Sequence, residues 1–261
     1  MISCKGGSMP SYTKIIEGLN DLGIYKMQEY IDHYINAVNN GEKSFSDALE
    51  ELISIEQENN RLRAINSCVK VANFPFIKTM DDFDFSFQPG INKKELLEFT
   101  SLGFIERNEN ILFVGTSGVG KTHLATSIGI ECARNRYSTY FVSFENLMIQ
   151  LKKALNENRL EQRMKFFSRY KILIIDEIGY MPIDADSANL FFQLVARRYE
   201  KHCTIITTNM PFSKWGEIFG STTLANAVLD RLLHHSSVIS IKGPSYRLKD
   251  KKAFLESQSD D

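Results

Sequence analysis

The sequence predicts an α/β fold: a parallel sheet between helices, built on a phosphate-binding loop and preceded by a small all-helical domain. Three observations carry this expectation. The stretch Gly115-Thr116-Ser117-Gly118-Val119-Gly120-Lys121-Thr122 fits the pattern G-x-x-x-x-G-K-[ST]. A second stretch, Lys171-Ile172-Leu173-Ile174-Ile175-Asp176-Glu177, is an apolar run ending in two carboxylates. From Glu109 onward, short apolar runs alternate with segments of helical periodicity, as expected of parallel strands covered by helices on both faces.

Composition bounds the rest. With 261 residues, 43% hydrophobic and 24% charged, the chain can form one large domain or a domain with an appendage. A net charge of −1 gives no global argument for nucleic acid, so any such surface must come from local asymmetry. Cys4, Cys68, Cys132 and Cys203 are scattered, which argues against a zinc module or a disulfide framework and fits a cytoplasmic protein. No apolar run approaches the ~18 residues of a membrane span, and the first residues lack the apolar core of a secretory signal.

Residues 1–10 are set aside as a disordered N-terminus or a remnant of expression. Residues 11–72 read as a helical N-terminal domain. Apolar residues recur at three- and four-residue spacing over 12–22, 25–39 and 44–66, punctuated by Gly23 and Asn40-Gly41. Ser44 with Asp47 resembles a capping box. Between residues 12 and 66 the net charge is −5, so this segment is a poor ligand for a phosphate backbone. It either contacts a protein, another copy included, or packs on the main domain.

Residues 73–102 form a connector. Its first part is aromatic and rich in turns (Phe74, Phe76, Phe83, Phe85, Phe87), and its interleaved acids make packing a better role for the rings than base stacking. A helix is expected over 92–102. Residues 103–250 form the main domain, with strands at 111–114, 139–144, 172–176, 203–208 and 238–241. Helices are expected at 121–136, 145–155, 159–168, 187–201 and 224–235. Residues 251–261 are expected to be a flexible tail.

The chemistry follows from residue type. Glycines let the loop curl so that successive N–H groups face a phosphate, and the next helix points its N-terminus at the same anion. Lys121 adds an ammonium for the outer phosphates, and Thr122 offers a hydroxyl to Mg²⁺. Ligand sites in such sheets lie at the carboxyl ends of strands. Asp176 therefore stands near the phosphates to hold Mg²⁺, and Glu177 to activate water as general base. Asn209, ending strand 203–208, can bond the γ-phosphate or its water. Arg231, on a late amphipathic helix, is either a finger for a neighbouring subunit's phosphate or half of a surface ion pair with Asp230 or Glu217.

Lys152, Lys153, Arg159, Arg163, Lys165, Arg169 and Lys171 are opposed only by Glu157 and Glu161, a local net of +5. Around an axis of several subunits they could track a nucleic acid backbone without reading sequence; a solvated helix face would carry the same composition. A metal site at His234-His235 is rejected, because neighbours on a helix point about 100° apart and no third ligand is evident.

These strings, with residues 48–63, 81–85, 104–107, 173–180, 205–209, 212–216, 230–234 and 243–249, resemble the IstB-type transposition helper ATPases of bacterial insertion sequences. That family is close to the DnaC-type helicase loaders in the initiator branch of the AAA+ ATPases. The resemblance spans roughly residues 12–249. It implies a P-loop AAA+ core that assembles as a homo-oligomer on double-stranded DNA with ATP, with little sequence preference, and that recruits and stimulates a cognate transposase. It further implies that Asn209 is a sensor, Arg231 an arginine finger and Arg247 a second sensing arginine, with residues 115–122 and His123 around the nucleotide. The helical domain would serve self-association and partner contact. The principal alternative is a replicative helicase loader. A small-molecule kinase fits less well, for want of an acceptor-binding lid, and a non-catalytic scaffold is also open.

Overall fold

Side-chain alternation along the strands sets the layering of the main domain. The structure, a computed structural model, describes residues 9–179 and 182–249. The expected disordered residues 1–8, the tail 251–261 and Tyr180 of the 173–180 string lie outside the described residues.

The strands are β1 (Asn110–Gly115), β2 (Thr139–Ser143), β3 (Ile172–Ile178), β4 (Cys203–Thr208) and β5 (Ser236–Ile241). They form one sheet in the order β2-β3-β4-β1-β5, every neighbouring pair parallel. Ile172 and Ile174 of β3 join one core cluster, with Ile111 and Phe113 of β1. Leu173 and Ile175 join the other, with Leu112. A strand buried on both faces needs the continuous apolar runs seen in the sequence.

The first cluster packs on α4 (Lys93–Thr100), α5 (Gly103–Glu106) and α6 (Lys121–Arg134). The second packs on α7 (Phe144–Asn156), α8 (Leu160–Ser168), α9 (Ala185–Arg198), α10 (Trp215–Phe219) and α11 (Thr222–Leu233). Local chemistry starts several of these helices. The side chains of Asn92, Ser143, Asp184 and Ser221 accept backbone N–H groups in the first turns of α4, α7, α9 and α11. α5 and α10 are additions to the expected elements. Within α10 and the turn before it, Trp215 and Phe219 are buried against Phe144, Phe191 and Phe212, so a segment with no expected element contributes core.

The edge strand β2 is shielded. Phe141 N–H donates to the Ala72 carbonyl (2.8 Å), and the Asn73 amide donates to the Phe141 carbonyl (3.0 Å).

The chain divides into two compact units, the second starting at Ser67. The first contains α1 (Met9–Asp21), α2 (Tyr25–Asn39) and most of α3 (Phe45–Val71). α1 opens at Met9, inside the ten residues expected to be disordered. The small core of this unit is Ile31, Tyr34, Ala48 and Leu52. Glu56 of α3 is buried and accepts the N–H groups of Lys26 (2.8 Å) and Met27 (2.9 Å). It thus caps α2, whose own N-cap, Ile24, has no side-chain acceptor.

Candidate functional site

The loop between β1 and α6 carries the glycine pattern. Gly118 and Gly120 have φ of +82° and +100°, a region that suits glycine. A Cβ on Gly118 would meet Ser245 Oγ at 2.0 Å, and one on Gly120 would meet Phe83 Cε2 at 2.5 Å. Glycine therefore serves both the curl and the close approach of neighbouring chain. Val119 turns inward and is buried. Gly120 is also the N-cap of α6, whose first turn points its N–H groups back into the loop.

Lys121 is buried, and its ammonium donates to the loop's own carbonyls, Gly115 O at 2.8 Å and Thr116 O at 2.7 Å. Burial lowers its pKa, against the opposing pull of Asp176 and Glu177. Asp176 is buried as well. Its Oδ1 accepts the hydroxyls of Thr122 (3.0 Å) and Thr207 (2.6 Å). Burial raises its pKa, partly offset by those two hydrogen bonds. A buried carboxylate beside the Thr122 hydroxyl offers oxygen ligands of the kind Mg²⁺ takes.

The two acids part company because of a bulge. Ile175 pairs with Ile206 and Ile178 with Thr208, so two residues of β3 oppose Thr207 alone. Glu177 takes φ +65° and its N–H donates to Thr207 Oγ1 at 2.8 Å. Asp176 is thereby turned inward toward Thr122, while Glu177 is exposed at the cleft. Thr207 is fully buried and touches both acids. Sequence reasoning missed it. The available signal was a threonine pair closing a strand otherwise read as apolar core.

The cleft is lined by residues 117–123, Glu177, Asn209 and Arg247, together with Phe76, Phe83, Gln88 and Tyr246 from flanking segments. The Asn209 side-chain oxygen is buried without a hydrogen-bond partner, as expected of a group awaiting a ligand or water. His123, at the edge of this lining, is also engaged by the flanking segment. Its Nε2 lies 2.9 Å from the Thr79 carbonyl, and its ring meets Phe76 and Phe83 edge-on.

A strap made of two distant segments crosses the loop. Tyr246 N–H donates to the Gly118 carbonyl (2.9 Å), and the Gln88 amide donates to the Pro244 carbonyl (2.9 Å). Lys249 reaches Asp84 at 2.8 Å, and Phe87 stacks edge-on with Tyr246. The Lys249 ammonium and the Ser86 hydroxyl hold Asp84 at a pKa of about 2.

Arg231 does not line this cleft. Its guanidinium donates to the Ala227 carbonyl (2.9 Å) and lies over the Phe192 ring, 4.6 Å from its centroid, and makes neither of the alternative ion pairs with Asp230 or Glu217. The basic stretch is also largely engaged. Lys152 pairs with Asp184 at 2.5 Å, Arg159 pairs with Glu157, and Lys171 donates to Asn108 at 2.7 Å. Arg163 and Arg169 lie on the rings of Phe166, Phe167 and Tyr170. Among the described residues, Lys153 and Lys165 have no hydrogen-bonded or ion-paired carboxylate. Beside His234 and His235, rejected above as a metal site, lies Glu200, whose Oε1 is 3.7 Å and 3.6 Å from their ring nitrogens.

No helix among the described residues is long and apolar enough to cross a membrane.

Comparison with known proteins agrees with this geometry. The chain is 51% identical over 240 residues to a protein of Bacillus thuringiensis subsp. berliner named as the ATP-binding protein of insertion sequence IS232, covering 92% of this chain and 96% of that one. It is 41% identical to the one named for IS21 of Pseudomonas aeruginosa, covering 90% and 88%. Among solved structures, the DnaC helicase loader superposes with a TM-score of 0.52 at 22% identity, covering 66% of this chain and 97% of that one. DnaI does so with a TM-score of 0.53 at 17% identity, covering 67% and 93%. At these identities the structural likeness establishes a shared P-loop AAA+ fold. The family model for IstB-like ATP binding proteins matches residues 18–253, and the chain belongs to that family.

Proposed function

We propose that this chain is an ATPase that assembles on double-stranded DNA and recruits and stimulates its transposase. The observation that carries the reading is the bulge at Asp176-Glu177, which gives the two acids different tasks around Thr207. Lys121 exchanges the Gly115 and Thr116 carbonyls for the outer phosphates of ATP. Thr122 and Asp176 would hold Mg²⁺, which would supply positive charge to the outer phosphates. Glu177 accepts the proton of the attacking water, and Asn209 orients that water or the γ-phosphate. Arg247, at the cleft's rim, senses the γ-phosphate. The products are ADP and phosphate.

Arg231 acts on the nucleotide of a neighbouring copy. It does not line its own cleft, which fits supply in trans, and it must first leave Ala227 and Phe192. Hydrolysis then depends on assembly. The acidic helical unit supports a protein-contact role: Phe45, Leu49 and Ile53 are exposed at four-residue spacing on α3. Lys152, Lys153, Arg159, Arg163, Lys165 and Arg169 remain the candidates for DNA contact, with Lys153 and Lys165 foremost.

The loader reading shares the fold, but three relatives over 40% identical are named for insertion sequences, which favours transposition. The test is particle size in solution with ATP, with duplex DNA, and with both. Growth to a large particle with both together is the expected result; a monomer in all three conditions overturns the proposal. Capture of a replicative helicase in place of the transposase would reassign the partner.

A further inference from the structure

Away from the nucleotide cleft, two imidazoles and a carboxylate converge at the base of the sheet. His234 and His235 follow the end of α11, and Glu200 sits in the turn between α9 and β4. Glu200 Oε1 is 3.7 Å from His234 Nδ1 and 3.6 Å from His235 Nε2, and the two imidazole centroids are 4.1 Å apart. One ligating atom from each of the three lies within 4.8 Å of the others. Around a tetrahedral ion with ligands at about 2.1 Å, neighbouring ligand atoms are about 3.4 Å apart. The carboxylate–imidazole spacings are within a few tenths of an ångström of that figure.

The groups are carried by held backbone. Glu200 has φ +57° in a turn closed by Lys201 N–H (3.0 Å) and His202 N–H (3.1 Å), both donating to the Arg198 carbonyl. Arg198 is itself buried, and donates to the carbonyls of Phe167 (3.0 Å), Tyr170 (2.8 Å) and Cys203 (2.5 Å). On the other side, His234 N–H donates to Asp230 O at 3.1 Å, which continues the helix to its cap. Two imidazoles with one carboxylate suit zinc and its neighbours in the first transition row, whereas Mg²⁺ and Ca²⁺ take oxygen ligands. The Tyr199 hydroxyl, 2.7 Å from His234 Nδ1, is the group an ion would displace from that atom. All three ligands are exposed, so water completes the coordination sphere.

We propose that Glu200, His234 and His235 form a surface site for a divalent transition metal of the zinc class. An ion there ties the turn after α9 to the C-terminal end of α11, three and four residues beyond Arg231. The site needs no nucleotide, so its test is independent of the ATPase reading.

The experiment is calorimetric titration of Zn²⁺ into the nucleotide-free full chain, with Co²⁺ absorption as a second readout of coordination. One saturable equivalent is expected, with a rise in Tm on binding. Glu200→Gln and His235→Gln should each weaken binding at least tenfold, while their metal-free Tm and their nucleotide affinity stay those of the parent. Absence of saturable binding, or undiminished binding in either variant, overturns the proposal.

Discussion

The phosphate loop and the basic stretch of α7 and α8 both drew attention as sequence, and the structure treats them in opposite ways. Around the loop, polar groups are buried and converge: Lys121, Asp176 and Thr207 lie within one hydrogen-bonded neighbourhood, and the Asn209 oxygen is still without a partner. In the basic stretch, charges are exposed or half-buried and mostly engaged by neighbours: Asp184, Glu157, Asn108 and a set of aromatic rings. A motif states which atoms must meet, because its spacing is tied to backbone geometry. A charge count states only how many charges there are. Whether they are available to a ligand depends on neighbours that the count omits.

Four substitutions break or sharpen this contrast, taken from the largest expected effect down. Glu177→Gln should lower single-turnover hydrolysis by about a thousandfold with nucleotide affinity retained. Intact turnover would move the base elsewhere. Lys121→Ala should weaken ATP binding by about a hundredfold, since it removes charge-assisted hydrogen bonds of about 1.5–3 kcal/mol each; fluorescent-nucleotide titration measures it.

Thr207→Val keeps the shape of the buried side chain but leaves Asp176 and the Glu177 N–H each short of a partner. A fall of about tenfold in kcat is expected, on the order of one hydrogen bond to a charged group, with recovery in Thr207→Ser. A merely structural threonine would be rescued as well by valine as by serine.

Lys153→Glu with Lys165→Glu should weaken duplex binding about fivefold and reduce the slope of log affinity against log salt by about 2, if both touch phosphates. An unchanged salt slope would make this face solvated surface. The contrast between the two regions would then be complete.

The strands were legible because burial on both faces demands unbroken apolar runs, as in residues 172–175. The helix starts at Asn92, Ser143 and Ser221 follow from ordinary cap chemistry. The segment from Phe212 to Phe219 was illegible for a physical reason: its short helices are stabilised by Trp215 and Phe219 entering the core, not by their own periodicity. The same holds in the site. Residues 115–122 and the two acids could be read from local pattern, whereas Thr207, Phe83 and Gln88 matter through contacts made across 30 or more positions. Glu200 was missed on the same account, since only folding brings it to His234 and His235.

The extra residue opposite Thr207 also makes the order of the acidic pair meaningful. With Asp first, the shorter arm faces the crowded interior and meets Thr122 directly; with Glu second, the longer arm extends into the cleft. Reversing the dipeptide would keep charge and composition but press an additional methylene against Thr122 and leave the outer carboxylate one bond short. At these two adjacent positions side-chain reach, no less than acidity, is part of what the sequence encodes.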